Sequence, residues 1–220
     1  MRDTYIQVDA AGRTYGSGES ALVALEAASC DVQSGDHIAI VGPSGSGKST
    51  LLHLMGGLDR PDRGRVLWPT LEAPEQLRPQ HVSYVFQTVS LLPALTAVEN
   101  VELPLLLAGA DEDESRRIAR EALDRMDLEA IVEKLPEELS GGQAQRVAVA
   151  RALCAGSRVI LADEPTGQLD HETSRHMFDV LLEAIKGRGI ALVVATHDLS
   201  VANRLDSVWK LSYGKLEVQS

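Results

Sequence analysis

The stretch Gly42-Pro43-Ser44-Gly45-Ser46-Gly47-Lys48-Ser49-Thr50 constrains this chain more than any other. It follows the short apolar run His37 to Val41 and leads into Leu51-Leu52-His53-Leu54-Met55, so the order expected is strand, glycine-rich loop, helix start. The G-x-x-x-x-G-K-[ST] spacing has a mechanical reason. Glycines let the backbone curl until its N–H groups converge on phosphate oxygens, and the helix N-terminus adds a positive partial charge. Lys48 is placed to reach the β- and γ-phosphates and Ser49 to offer its hydroxyl to Mg²⁺. Taken alone, the loop implies a bound nucleoside triphosphate and nothing about its use.

The 220 residues suffice for one large domain or a domain with an inserted subdomain, and 44% hydrophobic content is ordinary for a globular chain. A formal net charge of −11 argues against non-specific binding to nucleic acid or anionic lipid. The opening Met1 to Ile6 lacks a basic-then-apolar signal pattern, and no window approaches the roughly 18 apolar residues of a membrane span. The expectation is a cytosolic chain unless a partner recruits it. Cys30 and Cys154 lack a second cysteine or a histidine at ligand spacing and read as buried small hydrophobes.

From Tyr5 to Val32, β-prone runs at Ile6 to Val8 and Leu22 to Leu25 alternate with turns at Gly12, Gly16 and Gly18, which suggests antiparallel strands. Tyr15 sits among those glycines in a chain only 4% aromatic, and suits either stacking on a base or packing at the solvent edge. Gly56-Gly57 stops the first helix, Arg60 to Gly64 turns into a strand at Arg65 to Trp68, and another follows at His81 to Phe86, ending at Gln87. Pro69, Pro74 and Pro79 make the link between those strands irregular. From Thr96 the periodicity becomes helical, so residues 88–136 read as a helical insert, with the acidic run Asp111 to Glu114 opening one helix. The last third returns to α/β. Arg158 to Ala162 and Gly189 to Ala195 are near-continuous apolar runs, as strands buried on both faces are, with a helix from about Thr173 to Lys186 between them.

Asp163-Glu164 closes one of those strands, so both carboxylates emerge at the sheet's carboxyl edge beside the glycine-rich loop. Asp163 is then placed to hold Mg²⁺ through water and Glu164 to polarise an attacking water. His197 follows another strand in Thr196-His197-Asp198 and could donate to a γ-phosphate or hold that water. Leu139-Ser140-Gly141-Gly142-Gln143 precedes a helix expected from about Ala144 to Ala155, and its glycine amides make a second anion-seeking helix end that has no lysine.

Together these residues resemble an ATP-binding cassette (ABC) ATPase over essentially the whole chain. Phe86-Gln87, Leu91-Leu92-Pro93, Glu99 to Pro104, Leu139 to Arg146 and Ala162 to Gly167 are similar to the macrolide-exporter and lipoprotein-release branch. The resemblance implies an α/β P-loop fold: a mainly parallel core sheet flanked by helices, an N-terminal antiparallel β subdomain and an inserted α-helical subdomain. It places residues 1–87 and 137–220 in the core and 88–136 in the insert. It makes Tyr15 the aromatic that stacks on adenine, Gly42 to Thr50 the Walker A loop and Gln87 the Q-loop residue that meets Mg²⁺. Asp163 and Glu164 become the Walker B aspartate and catalytic glutamate, Asp170 a D-loop residue and His197 the switch histidine. Ser140, Gly141, Gly142 and Gln143 become the signature that closes over ATP held by a second copy.

The implied function is an ATP-hydrolysing motor at the inner face of the membrane. Its cofactors are ATP and Mg²⁺, and its partners are a second copy and a permease seated in the groove after Gln87, near Leu91 and Leu92. A soluble ABC ATPase of translation or repair would resemble tandem cassettes or one split by a long coiled coil, and a small-molecule kinase would not need Leu139 to Gln143. Arg65 to Gln87 is short for the branch, Gln168 stands where asparagine or alanine is common, and Ser212-Tyr213-Gly214 replaces an acidic-glycine turn.

Overall fold

The computed structural model describes residues 2–71, 77 and 81–218. Two strands of 12 residues each, β1 (Thr4–Tyr15) and β2 (Leu22–Gln33), form an antiparallel ribbon. They are longer than the apolar runs suggest, because bulges carry the pairing across positions that break the alternation. Ala10 sits at φ 47°, in the left-handed region, where the register shifts. After β3 (His37–Val41), β4 (Arg63–Leu67) pairs with the other edge of β1, giving the order β2-β1-β4. Gly64 is required there, since a Cβ would lie 2.2 Å from the Ala10 carbonyl oxygen.

The second sheet adds β5 (Val82–Val85), β6 (Val159–Asp163), β7 (Ala191–Thr196), β8 (Ser207–Ser212) and β9 (Lys215–Val218) in the order β5-β6-β7-β3-β8-β9. Its first five strands run parallel and β9 returns antiparallel to β8. Every residue of β5, β6 and β7 is buried, as a sheet covered on both faces demands.

Strand alternation divides the core in two. Ala39, Val85, Ile160, Ala162, Leu192 and Val194 face the helices α2 (Ala97–Leu107), α3 (Glu112–Asp124), α4 (Gly141–Cys154) and α5 (His171–Ile185). Ile38, Ile40, Tyr84, Leu161 and Val193 face α1 (Lys48–Met55) and the first sheet. A short α6 (Leu199–Ala202) follows β7.

Two helix starts differ from expectation. Helix α4 begins at Gly141 rather than Ala144, because Ser140 and Gln143 close a capping box: the Ser140 hydroxyl accepts from the Gln143 N–H and the Gln143 side chain accepts from the Ser140 N–H. Helix α5 begins at His171 rather than Thr173, capped by Asp170. In the short link after β4, the Trp68 indole N–H donates to the Met55 carbonyl at 2.8 Å and the Thr70 hydroxyl to that of Thr4 at 3.0 Å, tying the link to α1 and β1. Pro74 and Pro79 lie outside the described residues.

Candidate functional site

The carboxyl ends of β3, β5, β6 and β7 converge, and each delivers one part of a cavity of about 510 Å³. From β3 comes the glycine-rich loop, of which Ser44, Gly45, Gly47, Lys48, Ser49 and Thr50 line the cavity. Gly47 is the N-cap of α1 at φ 105°, and a Cβ there would lie 2.2 Å from the Ala24 carbonyl oxygen. Gly42 is equally constrained, since its Cβ would meet the Leu211 carbonyl oxygen at 2.0 Å. The loop is therefore pressed between β2 and β8, and only glycine permits the approach. The Lys48 ammonium donates to the carbonyls of Gly42 at 2.9 Å and Pro43 at 3.1 Å, which stretches its stem along the inside of the loop. The Ser46 hydroxyl is buried at the base of the curl, and the Ser46 N–H closes it on the Pro43 carbonyl at 3.2 Å.

β5 brings Gln87, exposed on the cavity wall, and β6 brings Asp163 and Glu164. Asp163 is buried, lies beside the Ser49 hydroxyl on the cavity wall and keeps Oδ1 without a partner among the described residues. Burial pushes its carboxyl above the ordinary range and the charge of Glu164 adds to that, while Ser49, His53 and Lys48 pull the other way. A buried carboxylate oxygen with no donor, next to a serine hydroxyl and a nucleotide-sized cavity, is the oxygen donor set that a Mg²⁺–nucleotide complex takes. The residues present thus fit Mg²⁺.

Glu164 adopts φ 46°, a left-handed conformation that costs a non-glycine residue energy and clusters at functional sites. Its N–H donates to the Ala195 carbonyl at 2.9 Å, and the chain turns back at once through the Gly167 N–H to the Glu164 carbonyl at 3.1 Å. The side chain reaches His197, brought by β7, with Glu164 Oε2 2.9 Å from His197 Nδ1. The carboxylate is 11% exposed and the imidazole 72%, so the pair spans from the cavity wall to its open side.

Tyr15 closes the opposite end together with Leu22 and Ala24. Those two were not anticipated from the sequence, because they join the site only through the β1–β2 register, in which Tyr15 pairs with Leu22. The i, i+2 spacing of Leu22 and Ala24 was visible, but the hairpin pairing it depends on was not.

Ser140, Gly141, Gly142, Gln143 and Asp170 do not line this cavity. Asp170 spends both oxygens on its own helix, accepting from the Thr173 N–H at 2.9 Å and hydroxyl at 2.7 Å, and these bonds hold its carboxyl below the usual range. Gly141 and Gly142 admit the segment after Glu164: a Cβ on Gly141 would lie 2.4 Å from Gln168 Oε1, and one on Gly142 3.0 Å from Leu169 Cδ2. No helix among the described residues is long and apolar enough to cross a membrane.

Comparison with known proteins agrees with this geometry. A family model described as ABC transporter matches residues 25–167. The chain is 43% identical to the lipoprotein-releasing system ATP-binding protein LolD of Paramagnetospirillum magneticum, over 98% of this chain and 99% of that protein. It is 42% identical to an uncharacterized ABC transporter ATP-binding protein of Thermotoga maritima, over 93% of this chain and 90% of that one. Among solved structures, a dimeric post-hydrolysis state of an ATP-binding cassette bound to ADP and Pi superposes with a TM-score of 0.88 at 36% identity, covering 97% of this chain and 98% of the other.

Proposed function

The chain belongs to the ABC transporter family of ATPases, and from that premise we propose that it is the motor of a lipoprotein-releasing type of exporter, acting through a membrane permease. The observation that carries its catalytic half is the Glu164–His197 pair, standing at 2.9 Å over a cavity walled by Lys48, Ser49 and Asp163.

In this reading the triphosphate follows the amides of residues 43–49, and Lys48 exchanges its two carbonyl partners for phosphate oxygens. Ser49 and Asp163 are the residues that would hold Mg²⁺, joined by Gln87; when bound, the ion neutralises charge on the phosphate oxygens. Glu164 takes a proton from the attacking water as its oxygen adds in line to the γ-phosphorus. The bond to the bridging oxygen breaks, and ADP leaves with its electron pair. His197 anchors Glu164 through Nδ1, and its Nε2 can donate to a phosphate oxygen when both ring nitrogens carry a proton. Such a carboxylate is effective where its position is fixed in advance, and the turn at Glu164 supplies that fixation.

Ser140 to Gln143 contribute to the ATP of a second copy, in a head-to-tail dimer with two composite sites. The dimeric cassette at TM-score 0.88 supports this, as does the placement of the capped N-terminus of α4 outside its own chain's cavity. Asp170 belongs to the segment between the two sites. The permease occupies the groove after Gln87. That segment is held by Arg151, which donates to the Ser90 carbonyl and hydroxyl, and by Asn100, which bonds the Leu92 backbone on both sides. Leu91 packs on the core while Leu92 is 45% exposed, so Leu92 is the side chain offered to a partner helix. This tethers the chain to the inner face of the cell membrane, with residues 88–136 as the transmitting subdomain and 1–87 with 137–220 as the hydrolysing core.

Affinity capture of the tagged chain from detergent-solubilised membranes tests the reading. An integral permease with a large outer domain should be recovered; recovery of ribosomes or DNA alone would defeat it.

A further inference from the structure

The exposed end of β1 carries more machinery than a stacking ring requires. Arg13 and Tyr15 are two residues apart and lean from the same face of the strand, with the guanidinium carbon 4.8 Å from the centre of the ring. Asp59 Oδ2 accepts both the Tyr15 hydroxyl and Arg13 Nε, each at 2.9 Å. Arg13 Nη1 donates to Asp62 Oδ1 at 2.7 Å, and Asp62 Oδ2 accepts the Thr14 N–H at 2.7 Å. Both carboxyls are held below the usual range. For Asp59, burial pushes upward and is outweighed by the Arg60 N–H, the Tyr15 hydroxyl and Arg13. For Asp62 the Thr14 N–H leads and Arg13 follows.

Tyr15 lines the cavity and is 37% exposed, whereas Arg13 and Asp59 do not line it, and the cation lies over the ring. Asp59 also belongs to the turn that ends α1, where the Leu58 N–H donates to the His53 carbonyl at 2.9 Å. The helix that starts with Lys48 at the phosphate loop therefore carries at its other end the acid that fixes the aromatic ring.

We propose that Arg13 and Asp59 are positioning residues for the nucleotide base: Asp59 sets the ring plane of Tyr15 relative to the phosphate loop, and Arg13 backs the ring so that a purine on its opposite face completes a base–ring–cation sandwich. This rests on the reading that Tyr15 stacks on adenine. Two rotatable bonds orient a tyrosine ring; the hydroxyl bond to Asp59 and the guanidinium plane restrain both, so the base meets a ring already oriented. Purine presents more π-face than pyrimidine, and the benefit of the clamp depends on the base.

The test is equilibrium dialysis of ATP and CTP against the purified chain and its variants. Tyr15→Ala should weaken ATP more than CTP. Arg13→Ala and Asp59→Ala should each weaken ATP about two- to fivefold, the range an exposed cation–π contact supports, with less effect on CTP. In the Tyr15→Ala background they should have no further effect on ATP. Tyr15→Phe removes only the hydroxyl bond and should show part of the loss of Asp59→Ala, which also frees Arg13 Nε; it keeps the test available if the Arg13 variant folds poorly. Unchanged ATP affinity in Tyr15→Ala would remove the stacking reading and the clamp with it. A loss in Tyr15→Ala with none in Arg13→Ala, Asp59→Ala and Tyr15→Phe would overturn the clamp alone. Equal losses for ATP and CTP, or full losses in the Tyr15→Ala background, would also overturn it, by placing Arg13 and Asp59 in general loop integrity.

Discussion

Glu164 stands at φ 46°, and comparing two substitutions there measures what that conformation costs. Glu164→Ala and Glu164→Gly both delete the carboxylate and its bond to His197, so both should lose turnover. Both keep the backbone N–H that donates to Ala195. They differ only in how an alanine or a glycine tolerates a left-handed backbone. Holding a residue with a Cβ in that region costs about 1–2 kcal/mol. Glycine surrenders about 0.5–1 kcal/mol more conformational freedom on folding. The difference leaves Glu164→Gly the more stable variant by about 0.5–1 kcal/mol, or roughly 1–4 °C in Tm for a chain of this size. Urea and thermal unfolding of the two inactive proteins, without nucleotide, provide the assay. An alanine variant more stable by about 0.5–1 kcal/mol, the glycine entropy difference alone, would show that the turn stores no strain and that the placement of the carboxylate has another origin.

Glu164→Gln keeps the same backbone and nearly the same shape, so it should bind ATP, lose almost all turnover and accumulate as an ATP-bound dimer in size-exclusion chromatography; wild-type turnover would remove Glu164 from its role. Gly47→Ala should unfold at lower temperature and bind ATP at least about tenfold more weakly, because its Cβ meets the Ala24 backbone oxygen at 2.2 Å and a backbone oxygen cannot rotate away. Isothermal titration with ATP checks this, and near-native affinity would contradict the close packing of loop and β2. Glu102 is buried in α2 beside Arg116 Nε at 2.9 Å, and burial raises its carboxyl above its ordinary value near 4.5, with Arg116 offsetting only part. A carboxyl raised on folding contributes stability that is present below the unfolded value and lost as pH rises through the folded one. Glu102→Gln should therefore be more stable than wild type at pH 7 and indistinguishable from it near pH 4; a constant gap across that range would refute the assignment.

What the sequence made legible was local. The phosphate loop, Asp163-Glu164, Gln87 and His197 each lie within a few residues of a strand end, so an apolar run followed by polar residues was enough to set them on one edge of the sheet. Features built by pairing were not legible. Leu22 and Ala24 enter the cavity through the β1–β2 register, and Asp59 reaches Tyr15 across 44 positions. The length of β1 was hidden for the same reason, since bulges at Ala10 to Arg13 break the alternation that would have announced a strand. The start of α4 was within reach. Ser140 and Gln143 at cap and third position are a capping-box signature, and setting the helix start at about Ala144 passed over it.

The two glycines of that cap link the proposed half-sites through a single chain. Glu164 opens a turn closed by Gly167, and Gln168 and Leu169 then rest on Gly141 and Gly142. The segment that opens at Glu164 therefore lies, four or five residues on, against the N-terminus of α4, which the proposed dimer presents to the other ATP. Asp170 stabilises the far end of the same segment by capping α5, so the segment is held at both ends. Gln168 is long enough to lay its amide against Gly141. The contact between the segment after Glu164 and the cap of α4 thus rests on the side chains of Gln168 and Leu169 as well as on the backbone of the segment.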